Sequence, residues 1–229
     1  MILVVYEDEM RIACLHTADV HVATFDQVFK NLDRNVLLDH YVDSSLLERA
    51  RLNGVEAVRA DVERLLNEIS TADAVLCTCS TLGPLVERAA NVHKKNIRID
   101  RPLMERACAE AGNVLVAICL DSTRDATLNL LEDCAKGVGL KISPIVLVCD
   151  KAWAFFEAGD MDAYAESIAE SIKSKLEHAP DVECVVLAQA SMRVAETRLA
   201  EIGIPVFSSP VIAAKKCLEV ARKNEGASA

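Results

Sequence analysis

Short apolar runs rich in valine, isoleucine and leucine alternate along the chain with segments whose apolar residues recur at helical spacing. This alternation is typical of a parallel sheet covered by helices. Several of the runs are almost continuously apolar, as strands buried on both faces should be. The pattern therefore predicts an α/β fold of mainly parallel sheets flanked by helices.

Eight runs are predicted to form strands: Arg11 to Leu15, Val36 to Val42, Ala74 to Cys79, Asn96 to Ile99, Val114 to Leu120, Ile142 to Cys149, Cys184 to Ala188 and Ile204 to Phe207. Helices are predicted between them, from apolar stripes at Val55 to Ile69, Leu128 to Val138 and Tyr164 to Leu176. The sequence Ser45-Leu46-Leu47-Glu48 has the form of a capping box, which would make Ser45 a helix N-cap.

The chain also contains an internal repeat. Residues 74–82 align without a gap with residues 184–192, and residues 13–17 similarly match residues 118–122. Two matched pairs in the same order indicate two pseudo-symmetric lobes, predicted as residues 1–102 with 208–229 and residues 103–207. Because ligands bind beyond the carboxyl ends of parallel strands, the matched turns are expected to line an active-site cleft between the lobes.

Composition narrows the class of protein. The 229 residues are 52% hydrophobic and 26% charged, and no apolar run approaches the roughly 18 residues needed to span a bilayer. A soluble protein without a membrane partner is predicted. The opening residues lack the basic region and the cleavage site of a secretory signal, which favours a cytoplasmic location. A formal net charge of -10 argues against a nucleic-acid partner.

Nine cysteines, many inside apolar runs, are expected to be reduced thiols in such a protein. The sequence Cys77-Thr78-Cys79 has no second cysteine or histidine pair at metal-ligand spacing, so no metal site is predicted there.

Cys79-Ser80-Thr81 resembles the first signature of the aspartate/glutamate racemase superfamily, and residues 185–191 occupy the place of its second signature. The similarity covers nearly the whole chain from Met10. Met1 to Glu9 precedes the family's usual beginning, so this stretch either adds an edge strand or lies ahead of a start at Met10. The resemblance implies two lobes that hold a small carboxylate, two cysteines that remove and return a proton beside it, and no cofactor.

This sequence departs from the family pattern at the second cysteine, where Gln189 stands. An amide cannot act as an acid or base near neutral pH, so the sequence predicts a variant with one catalytic thiol. Cys79 is the predicted catalytic residue, because a thiol between a strand end and a helix start favours the thiolate. A buried thiol in a packing role is the alternative. Cys77 is predicted to lie deeper, in the core.

Substrate binding is predicted for small polar residues in the matched turns. They are Thr17, Ser80, Thr81, Ser122, Thr123, Gln189, Ala190 and Ser191. Hydroxyls and an amide can hold a carboxylate by several hydrogen bonds, although serine and threonine are also ordinary turn residues.

His16 follows the first strand and is a candidate second acid/base; orienting substrate or satisfying the turn backbone is the alternative. Asp121 is interpreted as a turn or N-cap residue that can pair with Arg124. Arg101 and Arg193 are candidates for a second substrate carboxylate, with surface solvation as the alternative.

These residues lead to two hypotheses. The first is a cofactor-independent isomerase, racemase or decarboxylase acting beside a carboxylate through Cys79. The second is a non-catalytic protein that binds a small carboxylate. A homo-oligomer is compatible with either.

Overall fold

The computed structural model describes residues 9–90 and 95–225. The chain divides into two compact units. The first contains the described residues up to Arg98 and those from Ala214 onward, and the second is Ile99–Ala213. The possible edge strand over Met1 to Glu9 lies, apart from its last residue, outside the described residues.

Each unit contains one four-stranded parallel sheet. In the first, the strands are β1 (Arg11–His16), β2 (Leu37–Val42), β3 (Ala74–Cys77) and β4 (Asn96–Arg98), in the order β2-β1-β3-β4. In the second, they are β5 (Asn113–Ile118), β6 (Ser143–Val148), β7 (Cys184–Leu187) and β8 (Val206–Ser208), in the order β6-β5-β7-β8. The same strand order in both sheets confirms the prediction of two related α/β lobes.

Nine α-helices connect or follow these strands in the described part of the chain. They are α1 (Val20–Leu32), α2 (Ser44–Asn53), α3 (Arg59–Glu68), α4 (Gly83–Ala90), α5 (Arg101–Glu110), α6 (Arg124–Gly137), α7 (Asp150–Glu157), α8 (Met161–Glu177) and α9 (Ser209–Glu225). Helix α9 begins in the second unit, and from Ala214 its residues belong to the first. No helix formed by residues 9–90 and 95–225 is long and apolar enough to cross a membrane.

All eight predicted strands are present, with ends that differ by one or two residues. The predicted apolar stripes lie on α3 and the 3-10 turn before it, on α6 and on α8. The predicted cap is wrong. Helix α2 begins at Ser44, and its N-cap is Asp43, whose carboxylate accepts a hydrogen bond from the Ser45 backbone N–H. Asp43 lies just after β2, so it can take the extended conformation that an N-cap needs.

The central strands are buried on both faces, which explains their near-continuous apolar sequence. In β1, Ala13 and Leu15 pack with α2, α3 and α4, whereas Cys14 and His16 point to the other face, where His16 lies against Phe25 of α1. The second sheet is divided in the same way between two hydrophobic clusters, one for each face.

Candidate functional site

Cys79 lies where a strand gives way to a helix in the first unit. β3 ends at Cys77, Cys79 is still extended, residues Ser80–Leu82 form a single 3-10 turn, and α4 begins at Gly83. The Cys79 carbonyl accepts a hydrogen bond from the Leu82 N–H at 3.2 Å, which closes the turn. The predicted strand-turn-helix setting of Cys79 is therefore present.

The start of α4 is shaped by a buried arginine. A Cβ on Gly83 would lie 2.6 Å from the guanidinium of Arg98, so any larger residue here would require the buried guanidinium to shift. Arg98 is the last residue of β4, and its Nη1 donates to the Glu87 carboxylate at 2.6 Å. The Arg98–Glu87 pair joins α4, the helix that follows the Cys79 turn, to β4.

Cys79 has the largest exposed fraction of the nine cysteines, although that fraction is only 8%. Cys77 is fully buried, and its thiol donates to the Cys79 carbonyl at 3.6 Å. Ser80 and Thr81 are half-buried beside Cys79, and Thr17 is buried after β1. A ligand therefore has better access to the Cys79 thiol than to the Cys77 thiol.

Burial raises the pKa of seven other thiols, and it is the largest cause in each. The pKa is raised to about 11 for Cys119 and Cys184 and to about 12 for Cys14, Cys134 and Cys149, and it is also raised for Cys108 and Cys217. These thiols are protonated at neutral pH, so they are poor nucleophiles and poor bases.

His16 is buried within a chain of hydrogen bonds. Its Nδ1 lies 2.8 Å from the Thr78 hydroxyl oxygen, and its Nε2 lies 2.8 Å from Nδ1 of His40. His40 in turn donates from Nε2 to the Asp26 carboxylate at 3.1 Å. Burial, and then the neighbouring His40 and His21, lower the pKa of His16 to about 3. The imidazole of His16 is therefore neutral at physiological pH.

His16 and Cys79 lie toward opposite faces of the sheet. His16 shares a face with Thr78, to which it is hydrogen-bonded, whereas Cys79 packs in the cluster that contains Leu15 and Cys77. The structure thus does not bring these two predicted catalytic residues together. Both ring nitrogens of His16 already have partners, which favours the alternative in which it supports the backbone turn through Thr78.

In the second unit, Gln189 occupies the position that corresponds to Cys79. It follows β7 and precedes a 3-10 segment, Ala190–Leu199, as Cys79 precedes its own 3-10 turn. Its side-chain oxygen accepts a hydrogen bond from the Cys119 backbone N–H at 2.6 Å. This contact orients the amide so that its N–H groups remain to donate elsewhere. Gln189 and Ala190 are both half-buried.

Ser191 belongs to a small polar cluster that the sequence analysis did not anticipate. Its hydroxyl lies 2.9 Å from the hydroxyl of Tyr164, which lies 3.4 Å from the Cys119 thiol. Burial raises the pKa of Tyr164 above its ordinary value. On spacing alone Tyr164 belongs to an apolar stripe, and its hydroxyl is the sequence signal for a polar contact at this position.

The turn after β5 is more exposed. Ser122 is exposed, and the half-buried Thr123 donates its hydroxyl to the Leu120 carbonyl at 2.8 Å. Asp121 is exposed and pairs with Arg124 at 2.7 Å, as the sequence suggested. The Thr123 hydroxyl therefore stabilises its own turn.

Both candidate arginines have acidic neighbours within the second unit. Arg101 contacts the Asp133 carboxylate at 2.8 Å, and Arg193 lies 3.8 Å from that of Glu196. Neither contact brings the arginine to another predicted binding residue.

The protein belongs to a class with two parallel α/β units of the same strand order. No family model and no curated protein matches the sequence. Solved structures do match. An aspartate racemase from Picrophilus torridus is 16% identical with a TM-score of 0.67, over 93% of this chain and 94% of that one. A glutamate racemase from Thermus thermophilus, in complex with β-chloro-D-alanine, is 16% identical with a TM-score of 0.65, over 96% and 82%.

A mutant arylmalonate decarboxylase in a sulfate-associated form is also similar, at 16% identity and a TM-score of 0.57, over 93% of each chain. The chain therefore shares the fold of these racemase and decarboxylase structures. At identities this low, the structural similarity establishes the fold only. The chemistry has to be argued from the residues of this chain.

Proposed function

We propose that this protein is a cofactor-independent enzyme that transfers a proton at the carbon next to a carboxylate, with Cys79 as the acid/base. The observation that carries the proposal is the placement of Cys79. It is the most exposed of the nine thiols, and it lies at the carboxyl end of a parallel strand, immediately before a helical turn. Ligands of parallel α/β proteins bind at such ends.

In the proposed reaction, the Cys79 thiolate takes the α-proton and becomes a thiol, while the C–H electron pair forms an enediolate with the carboxylate. The thiol then returns the proton, or solvent exchanges it first. The hydroxyls of Ser80, Thr81 and Thr17 are proposed to donate to the carboxylate oxygens. Neutral donors suit a group whose negative charge grows in the transition state.

The corresponding turns of the second unit are also proposed to bind the carboxylate substrate. There the N–H groups of Gln189 would donate to a carboxylate oxygen, with Ala190, Ser191, Ser122 and Thr123 in the neighbouring turns. Because Gln189 cannot give a proton, the substrate exchanges from the Cys79 face alone. The buried neutral His16, bonded at both nitrogens, does not serve as the second base in this scheme.

A decarboxylase with one thiol is the second candidate, favoured by the structural similarity to arylmalonate decarboxylase. In that reaction, loss of carbon dioxide would form the enediolate and the Cys79 thiol would protonate it. Both candidates use the same thiol, so the substrate that reacts distinguishes them.

The test is proton NMR of the protein with amino acids, hydantoins, hydroxy acids and malonates in heavy water. We expect loss of the α-proton signal, or appearance of a monodeuterated decarboxylation product, for at least one compound. Cys79→Ala should abolish the change, and Cys134→Ala should not, because Cys134 is a buried thiol of α6. Equal behaviour of Cys79→Ala and the unchanged protein toward a carboxylate that binds would make the protein a carboxylate-binding protein instead.

Alkylation provides an independent measurement. Iodoacetamide in limiting amount, followed by peptide mass spectrometry, should modify Cys79 before Cys77. Preferential modification of Cys77 would contradict the assignment of the reactive thiol.

A further inference from the structure

Three potential metal ligands meet on the sheet face opposite Cys79. Cys14 and His16 are two residues apart on β1, so their side chains share a face. His40 is the register partner of Cys14 on the neighbouring strand β2. One ligand atom from each of the three residues lies within 4.8 Å of the other two.

Each imidazole has an inner nitrogen that faces the other ring and an outer nitrogen that contacts a different residue. His40 donates from Nε2 to the Asp26 carboxylate. The Thr78 hydroxyl lies 2.8 Å from His16 Nδ1 and 3.2 Å from the Leu15 carbonyl oxygen. In the tautomer in which the hydroxyl donates to the carbonyl and accepts the Nδ1–H of His16, the inner nitrogens, His16 Nε2 and His40 Nδ1, present lone pairs to each other at 2.8 Å.

In that tautomer the two inner lone pairs are placed to share a metal ion, with the Cys14 thiol close by. Histidines that ligate metals usually donate their other N–H to a carboxylate or another oxygen, which fixes the tautomer and the ring. The Asp26 carboxylate and the Thr78 hydroxyl supply those partners here. A thiol beside two such imidazoles forms a ligand set that suits a zinc-class ion.

We propose that Cys14, His16 and His40 bind a divalent transition metal ion of the zinc class. Bonds of about 2.05 Å to nitrogen and 2.3 Å to sulfur, in tetrahedral geometry, place two nitrogens about 3.3 Å apart and nitrogen and sulfur about 3.5 Å apart. The inner nitrogens, now 2.8 Å apart, must therefore separate by about 0.5 Å, which side-chain rotation can supply.

Access and charge are consistent with this site. The His40 side chain is 15% exposed, and β2 is the edge strand of its sheet, so an ion can enter from that side. The Cys14 thiol is protonated beforehand, since burial raises its pKa. Binding replaces that proton by the metal ion and releases it to solvent. The bound ion would join β2 to β1 and stabilise the first unit.

The experiment uses full-length protein treated with a chelator and titrated with Co²⁺, followed by competition with Zn²⁺. We expect one Co²⁺ per chain, a near-ultraviolet thiolate-to-cobalt absorption band, and its loss when Zn²⁺ displaces the cobalt. Cys14→Ala should remove the band, and His40→Gln should weaken binding at least tenfold. Cys184→Ala and His178→Gln are the matched controls, a buried strand cysteine and an exposed histidine of the other unit, and neither should change the titration.

Asp26→Asn keeps the experiment decisive if the buried variants fail to fold. Asp26 is exposed, and its only role in this site is to hold His40, so the variant should fold and bind Co²⁺ about 10- to 100-fold more weakly. Absence of a thiolate band in the unchanged protein, or binding unaffected by Cys14→Ala, His40→Gln and Asp26→Asn, would overturn the proposal.

Discussion

The hydroxyl of Tyr164 is expected to contribute measurably to the stability of the second unit. Tyr164→Phe keeps the fully buried ring and removes only the hydroxyl, which contacts the Ser191 hydroxyl at 2.9 Å and the Cys119 thiol at 3.4 Å. A neutral intramolecular hydrogen bond contributes about 1 kcal/mol net, and a buried partner left unsatisfied adds to the loss. Because Ser191 is half-buried and can bind water instead, we expect a loss of about 1 to 2 kcal/mol.

The single tryptophan of the chain provides the assay. Trp153 stacks on Phe156 with ring centroids 4.7 Å apart, and Phe156 lies 5.3 Å from Tyr164, so tryptophan fluorescence reports unfolding around Tyr164. With a urea m-value of about 2 kcal/mol/M, the midpoint should fall by roughly 0.5 to 1 M. Tyr41→Phe, at an exposed position of β2, is the control and should leave the midpoint unchanged. A Tyr164→Phe midpoint within about 0.2 M of that of the unchanged protein would refute the reasoning.

Three further substitutions test the fold. Gly83→Ala should destabilise the protein by about 1 to 3 kcal/mol, because the new methyl group meets the Arg98 guanidinium. Urea unfolding followed by circular dichroism measures this loss. Gly137→Ala is the control and should not destabilise the protein, because its methyl group would point into open space. Asp43→Ala removes the N-cap of α2 and should cost about 0.5 to 2 kcal/mol by the same measurement; no loss would mean that the cap is not formed in solution. Folding raises the pKa of the Cys119 thiol from 9.0 to about 11. The contribution of this thiol to the free energy of unfolding is therefore fully present below pH 9 and is lost as the pH rises through about 11. Cys119→Ala should therefore flatten the fall in tryptophan-monitored stability over that range, and an unchanged slope would contradict the shift.

The fold could be predicted because its strands are doubly covered and therefore almost continuously apolar, as in Val114–Ile118. The Cys79 turn could be predicted because the repeat aligned it with the turn at Gln189. The strands and each of the two turns are defined by residues near one another in sequence. The Asp43 cap was missed because the nearby pattern from Ser45 to Glu48 matches a capping box that starts two residues too late.

Contacts that depend on strand register or on helix rotation could not be predicted in this way. Cys14 and His16 are visibly two residues apart, but only the register of β1 with β2 brings His40 opposite Cys14. Thr78 lies between two cysteines that attract attention, and its bond to His16 spans 62 residues. The Tyr164 hydroxyl similarly meets Cys119 and Ser191 only after α8 has packed.

The division of helix α9 between the units bears on how the protein is made. The second unit is one continuous segment, Ile99–Ala213, so it can fold as soon as its last strand has been synthesised. The first unit must wait longer, because α9 residues later in the chain pair with it, Arg222 with Asp33 and Asn224 with the Asp73 carbonyl. During N-to-C synthesis, the first sheet thus leaves the ribosome before the second but gains its α9 contacts later, and apolar surface exposed in that interval favours aggregation.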